Sequence, residues 1–136
     1  MAVLAHRSFP SEVANGVTVT KNLYNIYNSA LTINVQVGET SIVNPTESYL
    51  PGGLIYYLAE GPFENTFQYI SHTTVPGMEG KTVMTAEELE LLKEYCMAIH
   101  YHYCALNQEC RTMDIEFKMD NVNDQRVLYI KQARLY

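Results

Sequence analysis

Asp114 and Glu116 stand two residues apart in "DIEFKMD" (114–120), and Gln132 and Arg134 stand two apart in "RVLYIKQAR" (126–134). Strand side chains alternate between faces with period two, so each pair shares a face if its segment is extended. A hairpin joining the segments brings two carboxylates, an amide and a guanidinium together. Carboxylate and amide oxygens suit Mg²⁺, a hard cation that also takes substrate phosphates. A guanidinium fork suits phosphoryl oxygens. The same alternation equally describes a solvated hairpin face held by Glu–Arg cross-strand pairs.

Three other groupings carry possible chemistry. Cys96, His100 and Cys104 recur every fourth residue in "CMAIHYHYC", one face of a helix, and could ligate zinc; a fourth ligand is not evident, and buried cysteines beside a partly buried histidine fit the spacing as well. Ser71, His72 and Thr73 offer a hydroxyl beside an imidazole, or the polar edge of a strand. Glu39 follows the run "INVQVG" at a strand end, and Lys21 follows "GVTVT"; each is a ligand candidate or a turn and surface residue.

These side chains need a frame. The 136 residues, 47% hydrophobic and 18% charged, fit one globular domain. Apolar runs such as "LIYYLA" fall well short of the ~20 residues of a membrane helix, and the N-terminus has no extended apolar core of a signal peptide. A net charge of −6 with no Lys/Arg cluster argues against nucleic acid as a partner, though not against a nucleotide. Three cysteines, an odd number, read as reduced thiols in a cytoplasmic protein.

Strands are expected in "ANGVTVT" and "LTINVQV", with Leu31, Ile33, Val35 and Val37 on one face, then a Gly38–Glu39 turn or bulge and a short strand over 40–45. "YLPGGL" (49–54) reads as a loop, and "LIYYLAE" and "TFQYISH" as strands around the turn "GPFEN". A helix over about 86–106 opens with a Thr85/Glu88 capping box and buries Leu89, Leu92, Cys96, Ile99 and Tyr103. "MDIEFKM" and "RVLYIKQA" close the chain as strands around the turn "DNVNDQ". The expected class is α+β, a mostly antiparallel sheet with one long helix packed on it, as a single domain over 1–136.

In order, "ANGVTVTKN", "INVQVGETSIVNP" and "DIEFKMD…LYIKQAR" resemble the later part of the ATP-grasp nucleotide-binding domain of phosphoenolpyruvate synthase and pyruvate phosphate dikinase. That family runs Gly-Val-x-x-Thr-Arg/Lys, then Gly-Glu before a short strand and Pro, then an Asp-Ile-Glu strand before a Gln-Ala-Arg strand, and the match covers nearly the whole chain. The resemblance implies that Glu116 and Gln132 help hold Mg²⁺, that Arg134 contacts ATP phosphates as the catalytic residue, and that Asp114 supports them. It sets Glu39 at the nucleotide side and gives Thr20 and Lys21 a phosphate contact.

The sequence also departs from the family. Leu135 follows Arg134 where the family has Pro, and His72 lacks the Gly-Gly setting of the family's phosphorylated histidine. The family's early ATP-binding half, its histidine domain and its pyruvate barrel would lie outside these residues. The expectation is therefore an ATP- and Mg²⁺-binding portion of a phosphotransferase, inactive alone, whose partners are the nucleotide and the missing half or a longer chain, with self-association through the open face. The alternative is a non-catalytic binding or regulatory module on the same half-fold.

Overall fold

Alternating apolar residues build the sheet. In the computed structural model, which describes residues 8–39, 49–58 and 66–136, β1 (Glu12–Val19), β2 (Ala30–Val37), β3 (Gly52–Tyr57) and β4 (Phe67–Ser71) form an antiparallel meander. Helix α1 (Ala86–Asn107) follows. Strands β5 (Met113–Val122) and β6 (Gln125–Leu135) then return to the free side of β1, giving the order β4-β3-β2-β1-β5-β6. The chain is thus α+β, with a six-stranded antiparallel sheet and one helix among the described residues.

One face of the sheet carries Leu31, Ile33, Val35, Leu54, Tyr56, Ile115, Phe117 and Met119, all buried against Leu89, Leu92 and Cys96 of α1. Ile99 and Tyr103 extend this stripe but stay half-buried, because the helix end reaches the rim of the core. In β1 the apolar-looking positions face away from the helix. Val17 and Val19 point that way, while Ala14, Gly16 and Thr18 share the core face, Thr18 standing opposite both Ile33 and Ile115 and beside Cys96.

The start of α1 follows the expected capping box. Glu88 N donates to Thr85 Oγ1 at 3.2 Å, and Thr85 N donates to Glu88 Oε2 at 2.9 Å. Arg126 at the start of β6 donates to both Glu88 carboxylate oxygens and to the Val83 carbonyl, so the helix N-terminus is tied to the terminal hairpin. Thr85→Ala is expected to cost about 1 kcal/mol in urea unfolding, the usual loss of a cap hydroxyl.

Two loop expectations change. Residues 49–54 do not stay a loop: β3 starts at Gly52, directly after Pro51. Gly53 is accommodated there because Ser71 of β4 approaches closely. Its hydroxyl accepts the Gly53 N–H at 3.0 Å and would lie 3.0 Å from a Cβ at that position. The turn read as "DNVNDQ" shortens to two residues, Asn123 and Asp124, with φ of 52° and 62°. Both are residue types that tolerate left-handed backbone in a two-residue hairpin. The strand expected over 40–45 and the turn "GPFEN" at 61–65 lie outside the described residues.

Candidate functional site

Register brings the terminal polar residues together. Across β5 and β6, Asp114 stands opposite Arg134 and Glu116 opposite Gln132. A bulge beside Glu116 leaves Lys131 as an extra residue in β6. On the other side, Asp114 and Glu116 face Val19 and Val17 of β1, on the side of the sheet away from α1. The hairpin supplies one wall of a cleft of about 380 Å³, lined by Glu12, Asn15, Gly16 and Val17 of β1, Glu39 beyond β2, and Glu116, Phe117, Lys118, Lys131 and Arg134.

Among the described residues, each cation lining this cleft is paired with a carboxylate of the chain. Arg134 Nε and Nη2 both approach Asp114 Oδ2, at 2.9 and 2.8 Å, and Nη2 lies 3.9 Å from Glu116 Oε1. The hydrogen bond and charge of Asp114 hold the guanidinium above its ordinary pKa. Lys131 Nζ lies 3.5 Å from Glu116 Oε2, and Lys118 is paired with Glu12. Cross-strand ion pairs of the kind the solvated-hairpin reading anticipates are therefore present. One atom stands apart: Asp114 Oδ1 is buried without a hydrogen-bond partner, on a side chain only 14% exposed. The carboxylate oxygens of Asp114 and Glu116 and the amide oxygen of Gln132 are of the type that Mg²⁺ takes, though Asp114 and Gln132 are not among the residues that line the cleft itself.

Glu39 lies on this cleft, next to Gly38, whose φ of 62° turns the chain out of β2 and whose carbonyl accepts from Asn15 Nδ2 at 2.7 Å. Thr20 and Lys21 do not join it. They line a separate pocket of about 450 Å³ with Asn22, Ala30, Met97 and His100. The Thr20 hydroxyl accepts the Met113 N–H at 2.8 Å and contacts His100 Nδ1 at 3.2 Å, so it already serves the sheet and the helix. Ser71 is likewise engaged by Gly53, and the His72 ring stacks on Tyr69.

Sequence reasoning missed Glu12, Asn15, Lys118 and Lys131. Lys118 was available from the same alternation, two residues beyond Glu116. Lys131 was not, because a bulge breaks the period that sequence reading relies on.

The helix thiols depart from expectation. Cys96 faces the core, fully buried, and burial pushes its thiol up to about 12. Cys104 and Cys110 form a disulfide, which overturns the reading of three reduced thiols. The reason is local: Gln108 caps α1 in a left-handed conformation and turns the chain back, leaving the two Cα atoms 4.4 Å apart. After reduction, iodoacetamide is expected to label Cys104 and Cys110 while sparing Cys96. The raised pKa lowers the Cys96 thiolate fraction on the order of 1,000-fold. Peptide mass spectrometry checks this, and early labelling of Cys96 would mean that the helix leaves the sheet.

No protein-family model matches the chain, and no curated protein is significantly similar to it. No helix among the described residues is long and apolar enough to cross a membrane.

Proposed function

We propose that the chain is the ATP- and Mg²⁺-binding portion of a phosphotransferase resembling phosphoenolpyruvate synthase and pyruvate phosphate dikinase, an ATP-grasp half-site. The observation that carries this is the convergence of Glu39, Glu116 and Arg134 on one cleft, with Gln132 directly opposite Glu116. These are the residues the ordered motifs single out, and they come from segments about 75 positions apart, read from Glu39 to Glu116.

Glu116 and Gln132 would hold Mg²⁺ through oxygens, with Asp114 supporting from the same strand. When bound, the cation offsets charge on the carboxylates and on the phosphates of ATP. Arg134 and Lys131 then exchange their carboxylate partners for phosphoryl oxygens, the fork of Arg134 bonding bidentately. Thr20 and Lys21, in the neighbouring pocket, have the weaker claim to the nucleotide. The opposing wall would come from further polypeptide or from a second copy. Exposed Leu23, Tyr24, Ile26 and Tyr27 favour association, which light scattering at high concentration tests.

A second reading has an observation of its own. Arg134, Lys131 and Lys118 are each already paired with a carboxylate, as in a non-catalytic binding or regulatory module. Titration of the ¹⁵N-labelled chain with Mg·ATP, with Mg²⁺ alone and with ATP plus chelator separates the two. Metal-dependent amide shifts at 114–116, 132–134 and Glu39 support the nucleotide site. A spectrum unmoved by millimolar Mg·ATP removes ATP binding by this chain alone and leaves two readings, a site that needs its absent half and the module.

A further inference from the structure

The C-terminal end of α1 carries a cluster that the nucleotide reading does not use. His100 and Cys104 are one turn apart on the helix and share a face, and the left-handed cap at Gln108 returns Cys110 to the same place. One imidazole nitrogen and the two sulfurs all lie within 4.8 Å of one another, the only such group of three His, Cys, Asp or Glu among the described residues. His100 and Cys104 are half-buried and Cys110 is exposed, so solvent reaches the cluster.

We propose that His100, Cys104 and Cys110 form a thiol-gated Zn²⁺ site that is closed when the disulfide is formed and open when it is reduced. Two thiolates and an imidazole are a ligand set that zinc favours, and three protein ligands leave a fourth position for water or another group. Tetrahedral zinc with Zn–S near 2.3 Å and Zn–N near 2.0–2.1 Å places its ligand atoms at mutual distances under about 4 Å, within small side-chain adjustment of the observed cluster. With Nε2 on the metal, Thr20 would be the outer partner, because its hydroxyl lies 3.2 Å from His100 Nδ1, the position that oxygen partners take on metal-bound histidines. Cys96 takes no part, because it is buried against the sheet.

The gate balances as ordinary thiol–disulfide exchange. A dithiol reductant gives two electrons and two protons to the Cys104–Cys110 bond, which breaks into two thiols while the dithiol closes to its own disulfide. Binding of Zn²⁺ then forms two metal–sulfur bonds and releases the two thiol protons to solvent. A small-molecule disulfide closes the metal-free pair again by the reverse exchange, taking up the two electrons and two thiol protons and leaving as two thiols while the S–S bond re-forms.

The test uses the full chain, reduced with dithiothreitol and desalted without oxygen, and Co²⁺ as a spectroscopic stand-in for Zn²⁺. Reduced protein is expected to take up one cobalt, giving a thiolate-to-metal charge-transfer band and intense visible bands of tetrahedral Co²⁺, both displaced by Zn²⁺. Disulfide-containing protein should give neither. Cys104→Ser, Cys110→Ser and His100→Ala should each lower affinity at least about tenfold, and Cys96→Ala should keep it. Each variant is matched to the wild type by circular dichroism, and the wild-type titration decides even if a variant misfolds. Reduced wild type without the charge-transfer band overturns the proposal. So does a His100→Ala or Cys104→Ser protein that binds as tightly as wild type. None of these readouts involves nucleotide, so the site stands or falls apart from the ATP reading.

Discussion

Gly16→Ala is expected to lower the unfolding free energy by about 3 kcal/mol, at the upper end for overpacking a core. Gly16 of β1 stands opposite Phe117 of β5, and the ring lies over it. A Cβ at residue 16 would sit 2.1 Å from Phe117 Cζ, 2.3 Å from Cε1 and 2.8 Å from the Asn34 carbonyl oxygen. Phe117 is 1% exposed, so its ring can yield only by displacing its neighbours, and the carbonyl belongs to the sheet backbone. Urea unfolding measures the loss. Phe117→Leu should relieve part of it, so the double variant should lose less than the two single variants added together. A Gly16→Ala protein within about 0.5 kcal/mol of wild type would mean that the ring does not occupy this space. Because Phe117 follows Glu116, the same substitution should also disturb the cleft.

The order of elements was legible because it rests on local periodicity. β2, α1 and the two terminal strands announce themselves through Leu31/Ile33/Val35, the Thr85 cap and the alternation around Glu116. The Gly52–Gly53 start of β3 was not legible, because a glycine pair signals a turn unless the strand beside it is known, and here that strand is β4 with Ser71. The facing of β1 was hidden for a similar reason: Val17 and Val19 look like core positions, yet Thr18 is the residue enclosed between Ile33, Ile115 and Cys96.

At the candidate site, a tight hairpin alone would set Glu116 opposite Lys131 and Asp114 opposite Ala133; the bulge shifts the register by one residue and brings Gln132 opposite Glu116 and Arg134 opposite Asp114. The contribution of Glu12, Asn15 and Lys131 depends on long-range register and a bulge, which no window of sequence contains. The Cys104–Cys110 bond was missed because an odd cysteine count was taken as an argument about all three, when Gln108 had already turned two of them together.

Arg134→Ala is expected to weaken Mg·ATP binding roughly 10- to 100-fold, the loss of a charge-assisted bidentate contact, while barely moving the urea midpoint. The split follows from exposure. The Arg134 side chain is 54% exposed, and ion pairs in that setting add little to folding. Its value to a bound polyphosphate is larger, since the site offers few other cations and two of them, Lys118 and Lys131, hold carboxylates of their own. Arg134→Lys keeps the charge and loses the fork, so it should recover only part of the affinity. Asp114→Ala separates the two roles of the carboxylate. If Asp114 supports the cation, the variant binds Mg·ATP more weakly and depends less on Mg²⁺. If Asp114 only restrains Arg134, the freed guanidinium binds nucleotide more tightly. A pattern in which Arg134→Ala and Asp114→Ala both leave nucleotide titrations unchanged, with matching small stability losses, would reduce the pair to a surface cross-strand bridge. The hairpin face would then be the surface of a binding module, because the pairing geometry would serve the fold of β5 and β6 and nothing held in the cleft.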